Sequence, residues 1–418
     1  MTPRPLLVRA ARLIDGTGAP PAGPSSVLVE RGQVVAVDPP AVPDGTETVD
    51  LGPLTLLPGL IDTHVHLTVD HSPWEMQRFL ASTHEQQLLA AVEHARRALL
   101  AGITTLRDCG GRNQVLIPLR DAIARGVVEG PRLLVSGSPI TTTAGHMWYF
   151  GVEADSEPEV RKAVRSHIKD GVDFIKIAAS GGGMTPTSNP RAPQYTVAEL
   201  RAIVEEAHRL GTYATAHTLA TASIAAALDA GLPMIEHAGF FRDSESCGTE
   251  FYASDGFDYA PELVDRLVAS GTWVSQVIIG WHRALHYRPH TLPADRLPIA
   301  EQERSRRAEV LHGMRQRGVR FIAGSDGMVN IAAEYFATLE LSVRDIGMTP
   351  LEAITHATGV AAEAIGIDRV AGTIQPGKQA DLIAVDGNPS HDISALRQTR
   401  WIMQGGQTIR DDRHLLAQ

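Results

Sequence analysis

The sequence predicts an α/β fold, a (β/α)8 TIM barrel carrying a small β-sandwich domain formed by both chain termini. Three observations predict it. Strand-like and helix-like stretches alternate through the middle of the chain, as successive βα units do. Both ends are β-like, with hairpin signals. Histidine, lysine and aspartate residues fall at the C-terminal ends of the central strands, the face where barrel enzymes build their sites.

At the N-terminal end, Leu6-Leu7-Val8-Arg9-Ala10 leads into the turn-rich Asp15-Gly16-Thr17-Gly18. Residues 26–30 and 34–37 flank Arg31-Gly32, a plausible hairpin turn. At the other end, residues 381–386, 401–404 and 407–409 read as strands, and Gly405-Gly406 gives a second hairpin signal. Neither end can bury a core alone, so residues 1–58 and 370–418 are expected to form one composite β-sandwich, leaving 59–369 for the barrel. Within it the predicted strands are 60–67, 104–107, 132–136, 174–178, 213–217, 234–237, 273–278 and 320–323. Helical patterns fill the gaps, for example 85–100, 157–169, 197–210, 220–230, 261–270 and 301–316. A doubly wound open sheet is the alternative. It would not naturally gather strand-end residues from the whole segment into one site.

The composition is that of a globular protein with a sizeable core: 418 residues, 43% hydrophobic and 21% charged. A formal net charge of −10 argues against nucleic acid or an anionic membrane as the main partner. Two cysteines, Cys109 and Cys247, imply no disulfide framework and fit a reducing compartment. No signal-peptide pattern and no apolar run of membrane-spanning length is visible, so the cytoplasm is the expected location.

The most informative piece is Gly59-Leu60-Ile61-Asp62-Thr63-His64-Val65-His66-Leu67. Side chains repeat every second residue on one face of a strand. His64 and His66 would therefore project together from an apolar strand, an arrangement costly to bury unless something binds them. A divalent metal suits neutral imidazole; two hydrogen-bonded strand-end histidines are the plainer alternative. Later strand ends add Lys176, His217, His237 and Asp326. Singly, Lys176 reads equally as an ion-paired lysine, His217 and His237 as core histidines, and Asp326 as a helix cap. Together they would bring four histidines, one lysine and one aspartate to one face.

At this point the chain resembles the amidohydrolase superfamily along almost its full length. The carrying residues are Pro58 to His66, Lys176, His217, Ile235-Glu236-His237 and Gly324-Ser325-Asp326. Within the superfamily it looks most like the imidazolonepropionase-like group that includes Xaa-Pro-type dipeptidases. That likeness rests on Ala101 to Asp108, Leu119 to Ile123, Gly130-Pro131-Arg132, Ser180-Gly181-Gly182-Gly183-Met184 and Thr349 to Ile354. The resemblance implies a centre of two divalent metal ions, with zinc the expected element. It implies that His64, His66 and Asp326 hold one ion and His217 and His237 the other, with Lys176 bridging both as a carbamate. It further implies attack by a metal-bridging hydroxide, with Asp326 moving the proton to the leaving nitrogen and His146 steadying the oxyanion. The related group has two glycines before that histidine, whereas here Ala144 replaces the first. Relatives often form homo-oligomers, which is expected here by analogy.

Substrate-binding candidates are His146, Tyr195, Gly182, Trp148, Phe240 and Trp281. The glycine amides around Gly182 could grip a carboxylate, or the run could be a flexible loop. Tyr195 offers a hydroxyl or a packed ring. Some dipeptidases of the group use a tyrosine shortly after the strand-six histidine; Phe240-Phe241 stands there in this chain and cannot donate a hydrogen bond. Two long loops, about 242–259 and one holding Trp281, His282, His286, Tyr287 and His290, would set specificity. His282 and His286 read as part of a polar lid, with a second metal site the lesser alternative. The expected activity is metal-dependent hydrolysis of an amide or peptide C–N bond in a small molecule, as by a dipeptidase or amidase. The rivals are a cyclic amide, carbamate, phenylurea or lactone substrate, and, in a different class, a non-catalytic barrel scaffold. The full set of expected ligand types argues against the scaffold.

Overall fold

The computed structural model of the chain describes residues 4–70, 75–185, 187–242, 256–287 and 297–414, apart from the side chains of Trp281, Ala284 and Tyr287. The protein is a mixed α/β structure with parallel strands at its centre. The parallel strands are β1 (Leu60–Val65), β2 (Ile103–Asp108), β3 (Arg132–Val135), β4 (Ile175–Ala178), β5 (Ala214–Ala220), β6 (Met234–Phe241), β7 (Trp273–Ser275) and β8 (Phe321–Ile322). β1 to β3 form one sheet. β4 to β8 lie in order in a second, which the two-residue strands Ile140–Thr141 and Val152–Glu153 extend beyond β4. Main-chain bonds also run between the sheets: Asp173 N to Val135 O at 2.9 Å, Thr63 N to Ala323 O at 3.1 Å and Asp326 N to His64 O at 2.7 Å.

All eight segments expected as strands are strands, with shifted ends. β5 and β6 run on to Ala220 and Phe241. β7 stops at Ser275, two residues before Val277 turns to positive φ. Every residue of β1, β2, β4, β5 and β6 is buried, so the polar residues among them need partners within the protein. The helices between them bury one stripe each. His84–Leu100 buries Gln87, Ala91, Ala95, Ala98 and Leu99, and its start is fixed by a reciprocal bond pair between Thr83 and Gln86. Val197–Arg209 has the same device in Thr196 and Glu199. The helices Asn113–Ala124 and Ile331–Arg344 fill two further gaps of the expected alternation.

Both predicted hairpins form. Ser25–Glu30 pairs with Gln33–Val37 through Arg31 and Gly32, and Thr399–Gln404 pairs with Gln407–Asp411 through Gly405 and Gly406. All four turn residues have positive φ, as the tight two-residue turn matching strand twist requires. Leu382–Val385, from the C-terminal end, pairs antiparallel with Thr55–Pro58, whose other neighbour is Arg12–Leu13. One apolar cluster unites Val8, Val27, Leu54 and Leu56 with Leu382, Trp401 and Met403. Among the described residues no helix is long and apolar enough to cross a membrane.

Trp401 is fully buried in that shared cluster. Trp401→Ala is expected to lower unfolding free energy by about 3–5 kcal/mol, read from denaturant unfolding curves. A loss near zero would mean the two ends do not share a core.

Candidate metal centre

The strand ends deliver their polar side chains to one buried place. His64 lies next to the end of β1 and His66 just follows it; Lys176 lies in β4, His217 in β5, His237 in β6, and Asp326 in the turn after β8. The ring centroids of His64 lie 5.4 Å from His66 and 5.2 Å from His237. His217 is 4.5 Å from His237 and 4.5 Å from His146. Lys176 Nζ lies 3.4 Å from His64 Nε2. Asp326 Oδ1 lies 3.5 Å from Nε2 of both His64 and His66. All six residues expected as ligands, and His146 beside them, thus come together.

Each of three imidazoles has an acceptor on the nitrogen facing away. His64 Nδ1 lies 2.8 Å from Glu236 Oε2, and neither atom has another hydrogen-bond partner among the described residues. His66 Nδ1 lies 3.0 Å from Gly110 O. His217 Nε2 lies 3.1 Å from Gly181 O. A neutral imidazole that donates from one nitrogen presents a bare lone pair on the other. The lone pairs of His64 and His66 are then on Nε2, the atoms facing Asp326.

Charged residues hold these acceptors in turn. Burial alone would raise Glu236, but Arg107 and His64 hold it well below the ordinary carboxylate range. Arg107 donates to Glu236 Oε1 at 2.5 Å, and Thr215 donates to the same oxygen at 2.7 Å. Asp108 accepts from the amides of Leu67 and Gly110 at 2.8 and 2.9 Å, fixing the carbonyl that His66 meets. Asp62 accepts from Ser325 N and His64 N, tying the last strand-end turn to β1. Glu236, Arg107, Asp108 and Asp62 are functional-site residues that the strand-end pattern alone does not pick out. A charged residue inside an otherwise apolar strand, as in Met234-Ile235-Glu236 or Thr105-Leu106-Arg107, was the available signal.

Burial also sets the charge of the histidines. Removed from water, His64 is pushed down to about 4, His66 to about 3 and His146 to about 3. His217 and His237 fall well below the ordinary range for the same first reason. All five are therefore neutral at pH 7, the form that ligates metal.

Among the described residues two groups have donor atoms all within 4.8 Å of one another: His64, His66 and Asp326, and separately His64, Cys109 and Glu236. The second set is poor for a metal. Burial pushes the Cys109 thiol up to about 12, so it is not a thiolate, and Glu236 and His64 Nδ1 occupy each other. The first set offers two bare nitrogens and a carboxylate, which fits a divalent cation.

The substrate candidates divide. His146 sits against the centre, and its Nδ1 is buried with no hydrogen-bond partner among the described residues. Gly182 lies where a Cβ would strike the His146 ring, so its smallness serves that approach. Its amide donates to Ser188 Oγ at 3.1 Å rather than facing an open site, because the loop folds back on itself. Tyr195 departs from expectation: its hydroxyl donates to Ala154 O at 2.8 Å and its ring belongs to the apolar core. Phe240 is likewise fully buried, 5.7 Å from Tyr259, and packs rather than lining an open pocket. Trp148 is half-buried beside the apolar cluster of Val69, Phe79, Met147, Tyr149, Phe150, Ala178 and Met328. Trp281 lies in the short helix Ile279–His282, but its side chain is outside the described residues, as are Phe251, Tyr252 and His290. The His282 and His286 rings lie 4.2 Å apart, and among the described residues no third donor group joins them.

Parallel strands thus raise neutral imidazoles, a lysine and an aspartate to a single buried centre, a donor set of the kind that could hold divalent cations. The chain belongs to the amidohydrolase family, whose profile matches residues 55–405. It is 27% identical to an ochratoxinase of Aspergillus niger over 439 aligned positions, covering 97% of this chain and 86% of that protein. It is also similar to the crystal structure of a Xaa-Pro dipeptidase with methionine bound in its active site: 27% identity, a TM-score of 0.82, and 97% and 100% of the two chains covered. A prolidase complexed with N-methylphosphonate-L-proline gives 25% identity and a TM-score of 0.85, covering 97% of this chain and 100% of that one.

Glu236→Gln is expected to weaken metal binding by roughly 10–100-fold, measured by titration of metal-free protein, because the amide no longer fixes the His64 tautomer. The same change should cost about 3–5 kcal/mol of stability by stranding Arg107 in the core. Unchanged metal affinity would leave Glu236 a purely structural partner of Arg107.

Proposed function

We propose that the protein is a metal-dependent hydrolase of an amide or peptide C–N bond in a small substrate, acting as a dipeptidase or amidase. The observation that carries this reading is the set of neutral imidazoles with far-side acceptors, aimed at Asp326 and Lys176. His64, His66 and Asp326 would hold one divalent ion and His217 and His237 the other, with zinc the favoured element. Lys176 is buried, and its one hydrogen-bond contact among the described residues is an imidazole. An ammonium is a poor occupant of such a place. Reaction of its neutral amine with carbon dioxide, with loss of one proton, would give a carbamate and replace the positive charge with an anion able to bridge two cations.

When bound, the ions would supply carbonyl polarisation and an acidified water. The chain's own groups do the rest. Asp326 accepts the proton of the attacking water and hands it to the leaving nitrogen. His146, neutral and without a hydrogen-bond partner at Nδ1 among the described residues, would donate to the oxyanion as it forms. Aromatic side chains beside His146 exclude water and favour an apolar substrate group.

The fold belongs to the same proposal. The main-chain bonds between β1 and the turn after β8, and from Asp173 to β3, support reading the eight parallel strands as a closed (β/α)8 barrel over 59–369. The shared core of the two terminal sheets supports a composite β-sandwich of 1–58 and 370–418. Amide substrates are favoured because the relatives at 25–27% identity include an ochratoxinase, a Xaa-Pro dipeptidase and a prolidase.

Three measurements test the proposal. Dipeptides, N-acyl amino acids, lactams and aryl carbamates are screened against metal-loaded protein; cleavage of an acyclic amide is expected, and turnover of none of them counts against the function. Lys176→Ala is expected to abolish activity, with partial restoration by short carboxylic acids. Full activity and full metal content in that variant would remove the bridging role. His146→Ala should lower turnover about 10²–10³-fold with metal content intact. Loss of metal instead would make His146 a ligand.

A further inference from the structure

We infer that Arg283 is a positioning residue that orients the Asp326 carboxylate for metal ligation, an inference that rests on the metal-centre reading above. Arg283 opens a π-helical turn, Arg283–Tyr287, in the connection that follows β7. Single π turns recur at functional sites, because the wider turn re-aims a side chain. Here the side chain is buried and reaches the segment after β8.

The geometry divides the two oxygens of Asp326. Oδ1 faces Nε2 of His64 and His66, at 3.5 Å from each. Oδ2 faces Arg283 Nη1, also at 3.5 Å. A free carboxylate rotates between equivalent orientations; this one has a cation on one oxygen and two lone pairs on the other side. Arg283 also grips the backbone beneath it. Its Nη2 donates to Ser325 O at 2.9 Å and to Asp326 O at 2.7 Å. Asp326 has φ 52°, the left-handed region that non-glycine residues occupy at a cost. Such a conformation persists where surrounding contacts over-determine it. The Asp326 amide, bonded to His64 O at 2.7 Å, supplies the other restraint.

Arg283 is itself held. Glu334, buried on the helix Ile331–Arg344, accepts from its Nε at 3.0 Å and from its Nη2 at 2.7 Å. One planar guanidinium thus meets two carboxylates and two carbonyls. A lysine ammonium has no such fork. A plain ion pair tying the π turn to the helix would explain the Glu334 contact alone. It would not explain why the same group reaches Asp326 by both its side chain and its carbonyl.

The test uses metal-free full-length protein titrated with zinc against a competing chelator, followed by kinetics of the loaded enzyme. Wild type is expected to take two ions per chain. Arg283→Met is expected to keep one at wild-type affinity and bind the other at least about 10-fold more weakly, with kcat falling more than KM rises. Arg283→Lys should recover only part of both. Glu334→Gln, which touches neither Asp326 nor an imidazole, should move affinity in the same direction by less, and it carries the test if Arg283→Met does not fold. If Arg283→Met binds both ions as wild type does and only its melting temperature falls, the residue is structural and the inference fails alone. Wild type that takes up no zinc overturns the metal-centre reading and this inference with it.

Discussion

Exclusion of water from the strand ends is the constraint on which the remaining architecture depends. His64, His66, His146 and Lys176 are almost completely buried. In that setting an imidazole stays neutral, since a charged one would lose its hydration without recovering it. Neutrality alone does not aim a lone pair. The acceptors behind the rings do that, and a charged acceptor such as Glu236 is tolerable only because Arg107 and Thr215 satisfy it. The centre is therefore a layered arrangement in which each shell of polar groups is fixed by the next one out.

A second cost is conformational. His237, Ala238, Phe240 and Asp326 all have positive φ, although none is glycine. They lie where β6 and the segment after β8 turn away from the parallel strands. Arginines from outside brace both places through carbonyl oxygens. Arg283 does so at Ser325 and Asp326, and Arg307 does so at His237, at Ala238 (2.7 Å) and at Gln276 (3.2 Å). Burial holds the Arg307 guanidinium down at about 9. Spending buried cations on neutral carbonyls makes sense where the backbone itself must be held against its preference, and here the backbone carries two of the candidate ligands.

The sequence made the candidate ligands legible for a simple reason. Histidine or lysine in an apolar strand is locally anomalous, and alternation of strands and helices says which strand ends share a face. Arg31-Gly32 and Gly405-Gly406 were legible because positive φ is a one-residue property. Tyr195 and Phe240 were not, because whether a ring faces a site or a core depends on partners distant in sequence, Ala154 for one and Tyr259 for the other. Arg283 and Glu334 were invisible for the same reason: 51 positions separate them, and neither stands out against its own neighbours.

This difference bears on specificity. The ligand set draws on side chains whose direction is dictated by strand pleating. The neighbouring packing draws on the connections: Val69 after β1, Met147 beside His146, Ala178 at the end of β4 and Met328 after Asp326 meet in one apolar cluster. Tyr149 from this cluster donates to the buried carboxyl of Glu75 at 2.5 Å, and Glu75 is pushed up to about 8 by burial. A carboxyl with that value is largely uncharged at pH 7, so the cluster is apolar in effect even where its composition is not. An apolar neighbourhood of this kind strengthens charge interactions beside it. It also penalises a substrate that places a charge there without a partner. Under the proposed amide hydrolysis, discrimination among substrates is therefore expected to follow the polarity of the group lying against Tyr149 and Met328 more closely than its size.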